Sequence, residues 1–206
     1  MKNINPPMEA SIGVVILAAG GSSRLGEPKQ LVPYQGRTLL RHAAETAAAS
    51  GCRPIIAVLG ANAGALRAEL AGLPVWAVEN EDWESGMGSS IAAGVQPLTD
   101  LNHLDGAIIL LADQPLISPE FLRELVFQFE ETLAPIVASE YDGTLGVPAL
   151  FAETLFPELL ALDGAGGAKQ LIQQYRSRAA SVAFEGGSVD IDTPEDVEVL
   201  YRMAAG

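Results

Sequence analysis

Residues 12–29 read IGVVILAAGGSSRLGEPK, a short apolar run followed at once by a glycine-rich loop. The run Ile12–Ala18 is rich in β-branched residues and is bounded by glycines, which is typical of a buried β-strand. Helical patterns and further short apolar runs then alternate along the chain. The predicted strands are 12–18, 54–60, 74–78, 107–112 and 135–139, and the predicted helices are 39–50, 63–71, 87–95 and 119–131. This alternation predicts an α/β fold with a largely parallel sheet and helices on both of its faces.

The stretch 140–190 breaks the alternation. A turn at 141–146 leads to a predicted return strand at 147–151, helical segments near 152–162 and 168–178, and a late strand at 179–184. We expect this stretch to form an antiparallel flap. Thr193 then caps a last helix, with Asp196 at its third position. Because no repeat, linker or low-complexity tract divides the chain, we predict one domain over residues 1–206, with 1–11 as a flexible N-terminal extension.

The charge of the chain excludes some classes of function. It has 206 residues and a formal net charge of −14, and 49% of its residues are hydrophobic. That apolar content is enough to fill a core. An acidic protein of this kind is not expected to bind nucleic acid or anionic lipid through a general basic surface. Residues 24–53 are the exception, with five basic residues against two acidic ones. A locally basic segment in an acidic chain indicates a site for a small anion.

Cysteine content and the terminal sequence indicate the compartment. Cys52 is the single cysteine of the chain, so no intramolecular disulfide is possible. Residues 1–11 lack the apolar core of a signal peptide, and no apolar run approaches the length of a membrane-spanning helix. We therefore expect a cytoplasmic protein with no membrane association.

The loop after the first strand has the composition of a phosphate-binding loop. Gly20 and Gly21 allow backbone N–H groups to approach a ligand closely, and Arg24 and Lys29 add two cations. Exposed N–H groups and cations together are what a triphosphate requires. The residue types alone leave open a glycine-rich turn with two surface cations.

Motifs in four segments resemble one family of enzymes. Residues 17–29 fit the pattern LAAGxSxRxGxxK, and they are followed by NEDWESGMGSS at 80–90, LADQP at 111–115 and DIDTPED at 190–196. In this order they are similar to the signature of nucleotidyltransferases with the GT-A-like Rossmann fold. The resemblance is strongest to the MocA branch of the MobA-like group, the molybdenum cofactor cytidylyltransferases. It covers about residues 12–203.

The resemblance implies a fold, a reaction and a set of substrates. The fold is a Rossmann-like three-layer sandwich with a mostly parallel mixed sheet. In the reaction, an acceptor phosphate attacks the α-phosphate of an NTP, and pyrophosphate leaves. Ala19 stands where guanylyltransferase relatives have glycine, which favours CTP. The implied acceptor is molybdopterin, the implied cofactor is Mg²⁺, and the implied partner is a molybdoenzyme that receives the product. We expect a monomer or a weak dimer.

The resemblance also implies roles for individual residues. Arg24, Lys29 and Asp113 would be catalytic. The nucleotide-binding residues would be Leu17, Ala18, Ala19, Gly20, Gly21, Ser22, Arg24, Lys29, Gly86, Ser89 and Ser90. Cations at Arg24 and Lys29 suit a reaction that depends on positioning and charge neutralisation.

Three aspartates are the candidate metal ligands. Asp113 follows a buried strand, where it is either a turn residue or a ligand, and the resemblance favours a ligand. Mg²⁺ prefers one or two carboxylates together with phosphate oxygens and water. Asp192 matches the second metal position of the family, and Asp190 faces the same side of the strand and is the reserve. Helix capping explains Glu195 and Asp196 completely.

Two segments depart from the family pattern in the half that would bind the acceptor. Val147 stands where the family often has histidine, and Ala165 and Lys169 replace an acid and an arginine. Lysine is a point charge, whereas arginine is a bidentate donor.

The motifs of the nucleotide-binding half are intact, so two alternative functions stay open. One is transfer to another phosphorylated acceptor, such as a sugar or alditol phosphate. The other is a protein that binds a nucleotide or molybdenum cofactor and delivers it to a molybdoenzyme without turnover.

Overall fold

A seven-stranded β-sheet lies at the centre of the computed structural model, which describes residues 9–101 and 103–204. Its strands are β1 (Ile12–Ala18), β4 (Ile55–Leu59), β5 (Trp76–Glu79), β6 (Gly106–Leu111), β7 (Ile136–Tyr141), β8 (Thr144–Ala152) and β9 (Ala180–Ala183). A separate two-stranded ribbon is formed by β2 (Pro33–Tyr34) and β3 (Arg37–Thr38). The order across the sheet is β5-β4-β1-β6-β8-β7-β9. The first four strands in this order run parallel to one another, as the alternating pattern predicts.

Helices cover both faces of the sheet. They are α1 (Leu39–Ser50), α2 (Ala63–Glu69), α3 (Met87–Thr99), α4 (Pro119–Thr132), α5 (Phe156–Leu160), α6 (Gly167–Gln174) and α7 (Pro194–Ala204). One apolar core joins one face of the sheet to α1, α2 and α4, and a second core joins the other face to α3, α5 and α6. Alternate residues of β1 enter the two cores, because successive side chains of a strand point to opposite faces. The predicted three-layer α/β architecture is confirmed.

Helix starts follow the capping residues that the sequence indicates. The Thr38 hydroxyl accepts a hydrogen bond from Arg41 N at 3.3 Å, and the Ser118 hydroxyl accepts one from Phe121 N at 3.1 Å. At α7 the predicted capping box is present, since Thr193 N donates to Asp196 Oδ2 at 2.8 Å. These bonds satisfy backbone N–H groups that have no partner within the helix.

Several predicted boundaries are wrong. Helix α3 continues through Pro97 to Thr99 rather than ending at residue 95. Leu98 is fully buried, and its packing holds this last turn in place despite the proline. Strand β5 begins at Trp76, two residues after the predicted start at Pro74, a residue that cannot donate to a strand ladder. The predicted helix at 152–162 is divided into a 3₁₀ turn, Glu153–Leu155, and the short α5. Helix α6 ends at Gln174, before residue 178.

The antiparallel pairing expected in 140–190 lies inside the central sheet. Strand β8 pairs antiparallel with both β6 and β7, and β9 pairs parallel with β7. The turn between β7 and β8 is shorter than predicted, with Asp142 and Gly143 at φ of 49° and 71°. Residues 1–8 of the predicted N-terminal extension lie outside the described residues. Glu9 N and Ala10 N donate to one carboxylate oxygen of Glu130. Within the ranges described, none of the helices combines the length and the apolar character needed to cross a membrane.

Candidate active site

A cleft of about 470 Å³ lies at the carboxyl ends of the parallel strands. Open α/β sheets bind ligands at this edge, beside the point where the strand order reverses. The cleft is lined by Leu17, Ala19, Gly20, Arg24, Lys29, Gln30, Trp83, Glu84, Gly86, Met87, Ser90, Leu111, Ala112, Asp113, Asp190 and Asp192. Four segments that are far apart in sequence therefore meet here, and they are the four segments that carry the sequence motifs.

Lys29 stands at the centre of the charged groups in the cleft. Its ammonium group contacts the carboxylates of Asp113 and Asp192, the second at 2.8 Å. Arg24 Nη2 reaches the other oxygen of Asp192 at 2.7 Å. Burial alone would lower the pKa of Lys29, but the two carboxylates outweigh it and raise the pKa. The hydrogen bond from Lys29 is the main cause of a lowered pKa at Asp192. Lys29 and Asp192 are therefore both charged at neutral pH.

Asp113 has an unusual environment for a charged group. It is 5% exposed, and one carboxylate oxygen contacts Lys29 while the other, Oδ1, is buried without a hydrogen-bond partner among the described residues. An unpaired buried carboxylate oxygen is costly unless a cation or a donor meets it. A divalent cation beside Oδ1 would satisfy this oxygen. The residue chemistry is therefore compatible with Mg²⁺.

The second and third carboxylates, those of Asp192 and Asp190, also line the cleft. Asp113 and Asp192 contact the same ammonium group, so both lie within reach of one ion. Displacement of water around the Asp190 carboxyl, together with the nearby charge of Asp113, raises its pKa to about 6. In the part of the chain that is described, no cluster of three or more His, Cys, Asp or Glu forms a ready-made metal site. A metal here would need ligands from the substrate in addition to the aspartates, as Mg²⁺ commonly has.

The glycine loop is held by a buried amide that the sequence analysis did not single out. Gln30 is 2% exposed, and its Nε2 donates to Ala18 O at 3.0 Å and to Gly20 O at 2.9 Å. Lys29 N donates to the hydroxyl of Ser22 at 3.0 Å. Leu17, Ala19 and Gly20 line the cleft, whereas Ala18 is buried beneath it. No charge or motif marks Gln30, and only its position next to Lys29 points to it.

The loop before α3 is organised by Asn80. Its buried side-chain amide donates to the hydroxyls of Ser89 at 2.9 Å and Ser90 at 3.0 Å. Gly86 and Ser90, two of the predicted nucleotide-binding residues, line the cleft. Ser89 is not among the lining residues that are described, and its hydroxyl donates to backbone carbonyls of this loop. Ser89 therefore bonds the loop that precedes its own helix, and its nucleotide-binding role stays a prediction.

Two of the residues that depart from the family pattern, Val147 and Lys169, are not among the described residues that line the cleft. Val147 presents its carbonyl to Gln114, whose Nε2 donates to it at 3.3 Å. Gln114 is 3% exposed, and its Oε1 is buried without a partner among the described residues. Lys169 is exposed on α6.

A family model agrees with this geometry. The sequence matches the MobA-like NTP transferase domain over residues 14–179. The chain therefore belongs to the MobA-like NTP transferase family, a family of nucleotidyltransferases. The predicted resemblance is confirmed at the level of this family.

Individual relatives match over most of their length. The chain is 36% identical to nicotine blue oxidoreductase of Paenarthrobacter nicotinovorans, over 92% of this chain and 94% of that protein. It is 32% identical to purine catabolism protein PucB of Bacillus subtilis (strain 168), over 91% of this chain and 95% of that protein. The crystal structure of Rv0371c from Mycobacterium tuberculosis H37Rv superposes with a TM-score of 0.82 at 32% identity, covering 94% of this chain and 98% of that one. A second structure of Rv0371c is a complex with manganese.

Proposed function

We propose that this protein transfers CMP from CTP to the terminal phosphate of a molybdopterin-type cofactor, in a Mg²⁺-dependent reaction that releases pyrophosphate. The observation that carries the proposal is the contact of one ammonium group, Lys29 Nζ, with both Asp113 and Asp192 at the end of the glycine loop. In this arrangement a positive charge and two candidate metal ligands lie next to one another. Nucleotidyl transfer needs such charge neutralisation more than covalent help from the protein.

The proposed roles follow from the contacts. Arg24 is exposed on the loop and free to turn from Asp192 to a phosphate. Lys29 is more buried and would neutralise the phosphates between which the bond breaks. Asp113 and Asp192, with Asp190 in reserve, would hold the metal. A bound Mg²⁺ would supply further positive charge to the triphosphate and to the leaving pyrophosphate.

The choice of metal and nucleotide has separate support. The unpaired Asp113 Oδ1 fits a divalent cation, and the relative Rv0371c has been solved with manganese, an ion with similar oxygen ligands. CTP is favoured by Ala19, which lines the cleft at the position that is glycine in guanylyltransferase relatives. The molybdopterin acceptor and a molybdoenzyme partner rest on the family resemblance.

Transfer to a different phosphorylated acceptor is the second candidate. Val147 and Lys169 depart from the family pattern on the acceptor side, while the sequence motifs of the nucleotide half match it. Both candidates share the nucleotide site and differ in the acceptor only. A delivery protein without turnover is the third candidate, and the charged set of Arg24, Lys29, Asp113 and Asp192 argues against it.

Pyrophosphate release separates these candidates. Each of the four NTPs is incubated with Mg²⁺ and either molybdopterin, a sugar phosphate or an alditol phosphate. We expect release with CTP and molybdopterin. Release with another acceptor supports the second candidate. Nucleotide binding without turnover for any pair would count against the enzyme and favour the delivery function.

Two aspartates at opposite ends of β6 provide a matched pair of variants. Asp113 follows the strand at the cleft, and Asp105 precedes it and accepts a hydrogen bond from Ser11 N. Asp113→Asn should lower the rate by about 10²- to 10³-fold, as expected for loss of a charge that stabilises the transition state. Asp105→Asn should leave the rate close to that of the unaltered protein. Equal rates for the two variants would exclude Asp113 from the active site.

A further inference from the structure

Trp83 is a cleft-lining residue to which the proposed reaction gives no role. It lies in a 3₁₀ turn, Trp83–Ser85, between β5 and α3. Its side chain is partly buried and shares the cleft wall with Gly20 and Gly86. Two glycines from other segments, Gly21 and Gly60, are close to the indole.

The base of the indole packs against Gly60, at the end of β4. A Cβ atom at Gly60 would lie 2.8 Å from both Cβ and Cγ of Trp83 and 2.7 Å from Ala19 O. Carbon atoms essentially never approach so closely, so the site requires glycine. Ala61 N donates to the same Ala19 O at 3.0 Å, which ties the end of β4 to the glycine loop.

The far end of the indole packs against Gly21, within the glycine loop. A Cβ atom at Gly21 would lie 3.0 Å from Cη2 and 3.1 Å from Cζ3 of Trp83. The ring therefore extends from Gly60 to Gly21 and closes the space between the two segments. A tryptophan reaches both glycines because of its fused second ring.

The turn that carries Trp83 is itself fixed. Asn80 N donates to Leu59 O at 2.8 Å, and Asp82 N donates to Asn80 Oδ1 at 3.0 Å. Gly86 N, just before α3, donates to Trp83 O at 3.3 Å. The segment that carries Trp83 is thus hydrogen-bonded to the sheet and to the residue before α3. Its indole contacts the glycine loop at Gly21.

We propose that Trp83 is a positioning residue, which holds the glycine loop through Gly21 in the conformation that receives the triphosphate. The inference rests on the proposed function in one respect, namely that this cleft binds an NTP. It assigns to Trp83 no contact with the reacting atoms. Loss of the contact with Gly21 should therefore weaken nucleotide binding and raise KM, while kcat changes little.

Trp83→Phe separates this role from simple space filling. A phenyl ring keeps the Cβ and Cγ atoms beside Gly60 but does not reach Gly21. We expect Trp83→Phe to raise the Kd for α,β-methylene-CTP with Mg²⁺ by about three- to tenfold, the size of one lost aromatic contact. Trp76→Phe is the matched control, because Trp76 is 56% exposed on β5. Equal Kd values for the two variants would overturn the proposal.

A complementary substitution tests the contact itself. Gly21→Ala should weaken binding by a similar factor, because the new methyl group meets the indole. Gly64→Ala is its control, since a Cβ there meets nothing within 4 Å. In the Trp83→Phe background the ring end is absent, so Gly21→Ala should cause a smaller loss than it does in the unaltered protein. Losses that multiply in the double variant would show that the two sites are independent, and would refute the proposal.

A measurement without nucleotide keeps the inference separate from the proposed function. Amide hydrogen exchange of residues 18–26 is followed in ligand-free protein. We expect faster exchange in Trp83→Phe than in Trp76→Phe, with unchanged exchange in α4. If the unaltered protein binds no NTP, the proposed function fails, and this exchange still decides whether Trp83 holds the loop. Exchange equal in both variants would refute the positioning role.

Discussion

Replacing Lys29 by methionine should destabilise the protein in a pH-dependent way. Lys29→Met keeps most of the side-chain volume and removes the ammonium group that contacts Asp113 and Asp192. The side chain of Lys29 is 20% exposed, and those of Asp113 and Asp192 are 8% and 33% exposed. The variant therefore leaves one carboxylate buried and one half-buried without their shared cation.

The size of the effect follows from this burial. Removing one partner of a buried ion pair costs about 3–5 kcal/mol. Solvent screens the Asp192 side of the network, so we expect a loss just below that range, about 2–3 kcal/mol at pH 7.5. Arg24→Ala is the comparison, because Arg24 also bonds Asp192 but its side chain is 71% exposed. A surface pair of this kind contributes less than about 1 kcal/mol.

The pH dependence has a definite sign. Lys29 is one of the charges that lower the pKa of Asp190, which is about 6 in the unaltered protein, against an ordinary value of 3.8. Without Lys29, this pKa rises further. A carboxyl group with a raised folded-state pKa binds protons in the folded state that the unfolded state does not bind, so stability increases as pH falls. The loss caused by Lys29→Met should therefore be smaller at pH 5.5 than at pH 7.5.

Urea unfolding measures both the loss of unfolding free energy and its dependence on pH. The free energy of unfolding is obtained at pH 5.5 and 7.5 for the unaltered protein, Lys29→Met and Arg24→Ala. The difference between the unaltered protein and Lys29→Met should narrow at the lower pH, with m-values unchanged. A loss that is independent of pH would refute the role of the carboxylates, and so would an equally large loss in Arg24→Ala.

Two further predictions concern stability away from the cleft. Gly94→Ala should lower the free energy of unfolding by about 3 kcal/mol or prevent folding. A Cβ atom there would lie 2.4 Å from Val15 Cγ1 and 2.8 Å from Val58 Cγ2, where α3 packs on the sheet. Thermal unfolding measures the loss, and a Tm near that of the unaltered protein would contradict this packing. Burial would raise the pKa of Glu45, but hydrogen bonds and charge from Arg37 and Arg41 lower the pKa overall. Glu45→Gln should therefore cost about 1 kcal/mol at pH 7, and the difference should shrink as pH falls below the ordinary glutamate pKa towards the lowered folded-state pKa. Urea unfolding at pH 7 and 3.5 checks this, and a difference as large at pH 3.5 as at pH 7 would contradict it.

Much of the fold was predictable because its signals are local. The β-branched run of β1, the caps at Thr38 and Ser118 and the capping box at Thr193 depend on neighbouring residues only. The errors occur where packing between distant segments outweighs a local signal. Proline predicts a helix end, but the burial of Leu98 carries α3 beyond Pro97.

The candidate site was predictable as a set of segments, and its contacts were not. Glycines, cations and strand-end aspartates have recognisable types and spacing. Gln30 and Asn80 were missed because a buried amide has no signal in sequence until its partners are known. Ser89 shows the opposite case, since its residue type fits a nucleotide contact while its hydroxyl bonds the loop around it.

The sequence by itself determined the alternation of strands and helices, the four motif segments and their placement after strands. Tertiary structure alone decided that β8 enters the sheet antiparallel beside β6, and that Lys29 meets Asp192, 163 residues away. It also decided that Trp83 lies between Gly60 and Gly21. The physical reason is that hydrogen bonds of caps and turns are made within a few residues. Ion pairs, close packing and shifted pKa values depend instead on distances between segments that only the folded chain brings together.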